Sequence, residues 1–280
     1  MKSPLRFLFV AVLAAAGTFS LRAAGADKDG FRPLFNGKTL DGWFVLIKDQ
    51  GERNKDTNHL VQVDDGAIHM YKDAENGSTQ PFGYIATEKE FTSYRLRLQY
   101  KWGEKKFAPR AKPGQRRDAG LLYHVVEDKV WPVSVECQIQ ENDVGDIFAI
   151  STRVTSPVDP KTITANITTN RTTGAVSTNV SPTFLDADKG GVPFDQGRVG
   201  TSLRIVRSPM NEHDGWNDLE IVVHGDSATH IVNGKVNNRC SNIKQVVGSD
   251  WVPLKKGRIA LQLEGAEVWY RHIEIEELKD

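Results

Sequence analysis

Cysteine is scarce in this chain of 280 residues: only Cys137 and Cys240 occur. Two thiols can make one bridge but not a disulfide framework, so a packed core must hold the fold, and the chain is long enough to bury one. Charge of one sign is not in excess. Lys plus Arg and Asp plus Glu both number 36, which gives nucleic acid no electrostatic footprint as a partner. No His/Cys cluster has zinc spacing, no Gly-rich loop suits a phosphate, and no G-x-S-x-G elbow presents a serine nucleophile. Sustained helical periodicity is rare.

Long apolar runs are also missing, apart from one at the N-terminus. Lys2 and Arg6 precede the apolar stretch Phe7 to Ala16, and Ala24-Gly25-Ala26 reads as a cleavage site. Residues 1–26 are therefore expected to be an export signal, with a run too short to span a bilayer. Removing them takes away Lys2, Arg6 and Arg22 but no acids, which leaves 33 basic against 36 acidic residues and a charge of about −3. The expected mature chain is periplasmic or secreted and free of the membrane, and its two cysteines could then be bridged.

Period-two alternation is present throughout. "YRLRLQYKW" sets Tyr94, Leu96, Leu98, Tyr100 and Trp102 against Arg95, Arg97, Gln99 and Lys101. "RIALQLE" sets Ile259, Leu261 and Leu263 against Arg258, Ala260, Gln262 and Glu264. Short strands with Asp65-Gly66 and Asn233-Gly234 turns predict an all-β protein of two antiparallel sheets. Two segments break the rhythm: a basic loop at 104–118, and a Thr/Ser/Asn-rich stretch at 151–200 expected to carry short strands over one edge. No linker divides the chain, so residues 27–280 are expected to form one domain.

The stretch "VECQIQE" (Val135–Glu141) carries the chemistry. Ser134, Glu136, Gln138 and Gln140 share one face, while Val135, Cys137 and Ile139 share the other. Glu141 breaks the alternation: unless the strand bulges or ends there it would point into the core, and a bulge would bring it beside Glu136 and Gln138. The spacing resembles the E-x-D-x-x-E motif of laminarinase-type β-glucanases, with Gln138 where that family has Asp.

A wider resemblance covers most of the chain. "FRPLFNGKTLDGW" (31–43), "GYIATEKEFTSYRLRLQYKW" (83–102), "DAGLLYHV" (118–125), "VECQIQEND" (135–143), "WNDLEIVVHGDSATHIVNGK" (216–235) and "GRIALQLEGAEVWYRHIEI" (257–275) follow in the order found in the 3-keto-disaccharide hydrolases. The resemblance implies a concanavalin A-like jelly-roll sandwich of the lectin and glucanase type, and a carbohydrate substrate. The family's usual N-S-G is Asp118-Ala119-Gly120 here, and its E-x-Q-x-x-D is Glu136, Gln138 and Glu141.

The implied substrate is a glycoside with a ketone at C3, which acidifies the C2 hydrogen. Cleavage then needs a base near C2, a donor at the C3 oxygen and an acid at the leaving oxygen. Glu136 is the expected base or acid, Glu141 the second carboxylate, and His124, which shares parity with Gly120 and Leu122, a proton shuttle. Gln138 is placed to bind a hydroxyl. Arg97 or Lys101 would supply positive charge, and Gln262 or Arg271, at family motif positions, would line the site. Trp102 and Trp131 offer aromatic faces, of which Trp102 follows the buried parity and Trp131 remains a stacking platform. No cofactor is implied, although the acidic run Glu141–Asp146 could hold a structural Ca²⁺. The alternatives are a carbohydrate-binding module without catalysis and an ordinary β-glucanase.

Overall fold

The computed structural model describes residues 29–169 and 176–279. The expected export signal, residues 1–26, lies outside them. Among the described residues the chain is built almost wholly of strands, in antiparallel sheets of eleven and seven strands and one separate hairpin, Ala165–Thr169 with Val176–Val180.

Strands Arg153–Val158, Lys235–Val247, Ser227–Val232, Asn217–His224, Tyr94–Lys106 and Ala266–Glu277 lie side by side in the eleven-stranded sheet. The seven-stranded sheet runs Ser202–Ile205, Ile147–Ile150, Ser134–Gln140, Asp118–Val125, Arg258–Leu263, Gly83–Thr87 and Trp43–Ile47. Two of its neighbours, Asp118–Val125 and Arg258–Leu263, are far apart in sequence, and their pairing makes the site described below.

The alternation of the sequence becomes the sandwich. Leu96, Leu98 and Tyr100 from one sheet meet Leu121, Val135, Cys137, Ile139 and Leu261 from the other in a single core. Each fully buried large apolar side chain contributes roughly 1.5–3 kcal/mol of transfer free energy. The hairpin turns form where their residues demand them. Asn233 and Gly234 have φ of 49° and 76°, and Asp65 and Gly66 have 48° and 76°, the paired positive values of a two-residue turn matched to strand twist.

The seven-stranded sheet is covered on its outer face as well. Phe44, Leu46, Tyr84, Ala86, Leu122, Val125, Ile150 and Ala260 form a second apolar cluster there. The connection 126–133 begins and ends at one end of the sheet, where Val126 N–H donates to the Val133 carbonyl. It reaches the opposite end, where the Trp131 ring meets Phe82 edge-on at 6.3 Å. Asp128 ties this flap to the sheet through Arg53 at 2.7 Å and Arg258 at 3.7 Å.

In the 104–118 segment, strand Tyr94–Lys106 runs further than its sequence suggests, and most of the segment's cations are paired. Within 151–200, strands Arg153–Val158 and Val192–Gly197 pair with each other and extend the edge of the eleven-stranded sheet. Cys137 and Cys240 are both free thiols and both buried. Burial pushes the Cys240 thiol up to about 11 and raises that of Cys137 as well. We expect neither to react with an aromatic disulfide reagent in the native protein and two thiols to react after denaturation. Rapid native labelling of either would contradict the core assignment.

Candidate functional site

The site is built by register on the outer face of the seven-stranded sheet. Gly120 pairs with Gln138, Leu122 with Glu136 and Glu136 with Phe148. On the other side Leu121 pairs with Leu261, which sets Gly120 beside Gln262, and Gln262 pairs with Tyr84. A polar row, Gln138–Gly120–Gln262–Tyr84, therefore crosses four strands. Beside it runs an apolar row, Leu122, Ala260 and Ala86.

Gly120 leaves a gap in this row. A Cβ there would lie 2.2 Å from Glu136 Oε1 and 2.3 Å from Gln262 Oε1, so the carboxylate and the amide close over it from either side. Glu136 is 6 % exposed and Gln262 2 % exposed. No hydrogen bond or ion pair among the described residues engages the Glu136 carboxylate. Burial raises its pKa well above the usual carboxylate range, and the nearby Glu264 and Asp118 carboxylates add to the rise. Both polar atoms of the Gln262 amide, Gln138 Oε1 and Tyr84 Oη are buried without a partner. Buried polar groups in folded proteins are nearly always paired, so this concentration on one face marks a place for a polar ligand.

Above the row stands a charged cluster. Arg110 Nη2 touches both Asp118 Oδ2 and Glu264 Oε1, the latter at 2.5 Å, so the two carboxylates share one guanidinium and act on each other. Asp118 also accepts from Gln140 Nε2 at 2.7 Å and from Gln138 Nε2 at 3.3 Å. That second bond leaves Gln138 Oε1 as the free atom. Two buried carboxylates against one guanidinium retain a proton between them, and burial pushes Asp118 up to about 8.

The placements correct several sequence expectations. Glu136, Gln138 and Gln262 are brought together on one face, but buried rather than open to water. Trp131 is 48 % exposed at the tip of the flap over that face. Glu141 does not stand beside Glu136. Strand Ser134–Gln140 ends without a bulge, and Glu141 turns away into an ion pair with Arg117 at 2.8 Å that holds its carboxyl below the usual range. His124 is removed from the face by a bulge between Leu122 and Val125, where its φ is 56°. The extra residue restores Val125 to the outer face, and His124 Nε2 bonds the Gly225 carbonyl at 2.8 Å. Burial lowers that histidine to about 4, so it is neutral.

Arg97, Lys101 and Arg271 lie across the core from Glu136, because their strands belong to the eleven-stranded sheet. Arg97 pairs with Glu274 at 2.6 Å, Lys101 sits over the Trp269 and Trp216 rings, and Arg271 bonds Gln99 at 2.8 Å. In the run considered for Ca²⁺, Asp143 and Asp146 are engaged by Arg116, Arg204 and Arg207, a cationic environment that competes with any metal. Sequence reasoning missed the roles of Arg110, Tyr84 and Glu264. For Glu264 the signal was there: it shares parity with Gln262 in "RIALQLE".

These features define a concanavalin-like sandwich with an acid and amide site on one sheet face. The chain belongs to the family of 3-keto-alpha-glucoside-1,2-lyase-like domains, which matches residues 30–276. This makes it a carbohydrate-active protein. A provisionally named glycosyl hydrolase from Parabacteroides distasonis, solved at 1.70 Å, has the same fold, with 19 % identity, a TM-score of 0.50, and coverage of 90 % of this chain and 95 % of that one. A second such structure from that organism has 18 % identity, a TM-score of 0.46 and coverage of 89 % and 99 %. The carbohydrate-binding module CBM66 from Bacillus subtilis has 9 % identity, a TM-score of 0.43 and coverage of 84 % and 95 %. No curated protein matches the chain.

The Asp118–Glu264 pair generates a pH prediction. The folded chain keeps a proton on Asp118 up to about 8, whereas an unfolded Asp releases it near 3.9. The associated stability is fully present below about pH 4 and is lost as pH rises towards about 8. Denaturant midpoints should fall between about pH 5 and about pH 8.5, and the slope should be shallower in D118N; an unchanged slope would remove the shared proton from the account.

Proposed function

We propose that the protein cleaves 3-keto-glycosides by removing the C2 proton through Glu136. The observation that carries this reading is the buried Glu136 carboxylate, unpaired among the described residues and facing a Gln262 amide that is likewise unpartnered among them, across the Gly120 gap. A carboxylate whose ionisation is opposed by burial is a stronger base than a solvated one.

In the proposed reaction Glu136 takes the C2 hydrogen as a proton, and the C–H electron pair moves to form an enolate on the C3 oxygen. Gln262 Nε2 donates a hydrogen bond to that oxygen, and Gln138 Oε1 accepts one from a sugar hydroxyl. The C1–oxygen bond then breaks, and the leaving oxygen regains a proton by way of Glu136 and water. The product is a 2-hydroxy-3-keto-glycal, and addition of water across its double bond completes a net hydrolysis. The flap with Trp131 screens the enolate from solvent.

An ordinary β-glucanase is less well supported. That chemistry needs two carboxylates flanking C1, but Gln138 replaces one motif acid and Glu141 is paired with Arg117. Export is also part of the proposal, supported by the basic start, apolar run and Ala24-Gly25-Ala26 of the N-terminus.

Incubation of a 3-ketoglucoside in D₂O should place deuterium at C2 of product or recovered substrate, or release the glycal. Cleavage with the C2 hydrogen fully retained would replace elimination with displacement at C1. E136Q should lose at least about a hundredfold in turnover, and the wild-type rate should rise with pH as Glu136 ionises. Sugar binding retained in E136Q alongside a wild type inert on every ketoglycoside would make the protein a binding module.

A further inference from the structure

Tyr84 has a property that the other large buried tyrosines on this chain mostly lack. Tyr71, Tyr100, Tyr123 and Tyr270 each bring the hydroxyl to a partner: the Pro81 carbonyl, Glu212, His230 and the Gln262 carbonyl. Tyr94 has none, but it is in the core between the sheets. Tyr84 Oη is buried without a partner on the outer face, in the same row as the Gln262 amide. Arg258, on the same face of the neighbouring strand, has an equally unpartnered Nε. Its nearest carboxylate, Asp128, is 3.7 Å from Nη1 and is held more closely by Arg53, at 2.7 Å and 3.2 Å. Two hydrogen-bond donors are therefore buried and unpaired on the outer face among the described residues: Tyr84, one strand beyond Gln262 from Glu136, and Arg258, on the Gln262 strand itself, two residues past the Ala260 row that holds Glu136.

We infer that Tyr84 and Arg258 form a second subsite, which takes a glycosyl leaving group through its oxygen acceptors. The inference rests on the reading of Glu136 as the base acting on the other sugar. Donors of this kind suit the glycosidic oxygen and a neighbouring hydroxyl or ring oxygen. One wall is apolar: Leu46 pairs with Tyr84 and lies with it in the outer cluster, whereas the Phe44 ring is buried under the Arg53 guanidinium at 3.9 Å. The span agrees. Three inter-strand steps separate the Glu136 and Tyr84 strands, about 14 Å at the usual strand spacing, which is on the scale of two linked sugar rings. Burial raises the Tyr84 phenol far above neutral pH, so the hydroxyl stays a donor throughout the working range. Its role is to hydrogen-bond the leaving oxygen as the C1–oxygen bond weakens.

Calorimetric binding to E136Q, which cannot turn the sugar over, tests the subsite directly. E136Q is expected to bind a 3-keto-disaccharide at least about tenfold more tightly than 3-ketoglucose, about 1.4 kcal/mol. Adding Y84F should erase that advantage while leaving 3-ketoglucose binding unchanged. The melting temperature should hold or rise, because removing an unpaired buried hydroxyl relieves a desolvation cost. Equal binding of the two sugars by E136Q, equal weakening of both by Y84F, or a lowered melting temperature would each overturn the subsite. If the wild type cleaves 3-keto-glycosides under any of those results, the Glu136 reading stands alone. If E136Q binds neither sugar and the wild type cleaves neither, both fall together.

Discussion

The absence of a side chain at Gly120 is the constraint on which the site depends. Adjacent strands hold their outward side chains about 5 Å apart, and ordinary residues fill that space. Here the gap lets Glu136 lean from one strand and Gln262 from another strand, so that their oxygens close over the same point. Any Cβ would overlap both. The carboxylate thus ends up near an amide it does not bond, in a setting where burial and two further acids oppose its charge. Such a group is unfavourable for stability on its own, which makes it a candidate functional group.

The surroundings make that arrangement tolerable. A second apolar cluster and the flap cover the outer face, so the polar row sits in a dry setting where its dipoles act strongly. Arginines neutralise nearly every other acid in the neighbourhood. Arg117 takes Glu141, Arg204 and Arg207 take Asp143 and Asp146, and Arg110 joins Asp118 to Glu264. Among the described residues Glu136 makes no ion pair with any of them. Asp118 has a further effect through Gln138. By accepting from Nε2 it leaves the amide oxygen facing the site.

The alternation in the strands was legible because burial between two sheets requires it. Glu136 and Gln138 on the face opposite Cys137 and Ile139 follow directly, as do the Asn233-Gly234 and Asp65-Gly66 turns. Errors arose where parity alone was extended across strands. Arg97 and Lys101 have the polar parity expected of a cleft, but a sandwich has two outer faces and parity does not say which; of the two residues at family motif positions, Gln262 is on the Glu136 face and Arg271 on the other sheet. His124 has the right parity in sequence and the wrong one in space, because one extra residue in its strand reverses direction. Glu141 could leave the alternation by a bulge or by the end of the strand, and the strand ends.

The sequence by itself determined the class of fold, the family and which residues of the Glu136 strand share its outer face. Each of these is written in local spacing: period two along a strand, Gly at positive φ in a turn, and an ordered set of motif blocks. The tertiary structure alone decided which strands are neighbours. Strands Asp118–Val125 and Arg258–Leu263 are separated by more than a hundred residues, yet their pairing brings Gln262 to Gly120 and Glu264 to Asp118. Flap closure over the face likewise depends on Asp128 meeting Arg53 and Arg258. Side-chain period is a property of one strand, whereas pairing order is set by how all the apolar faces are buried at once, and no local spacing encodes that.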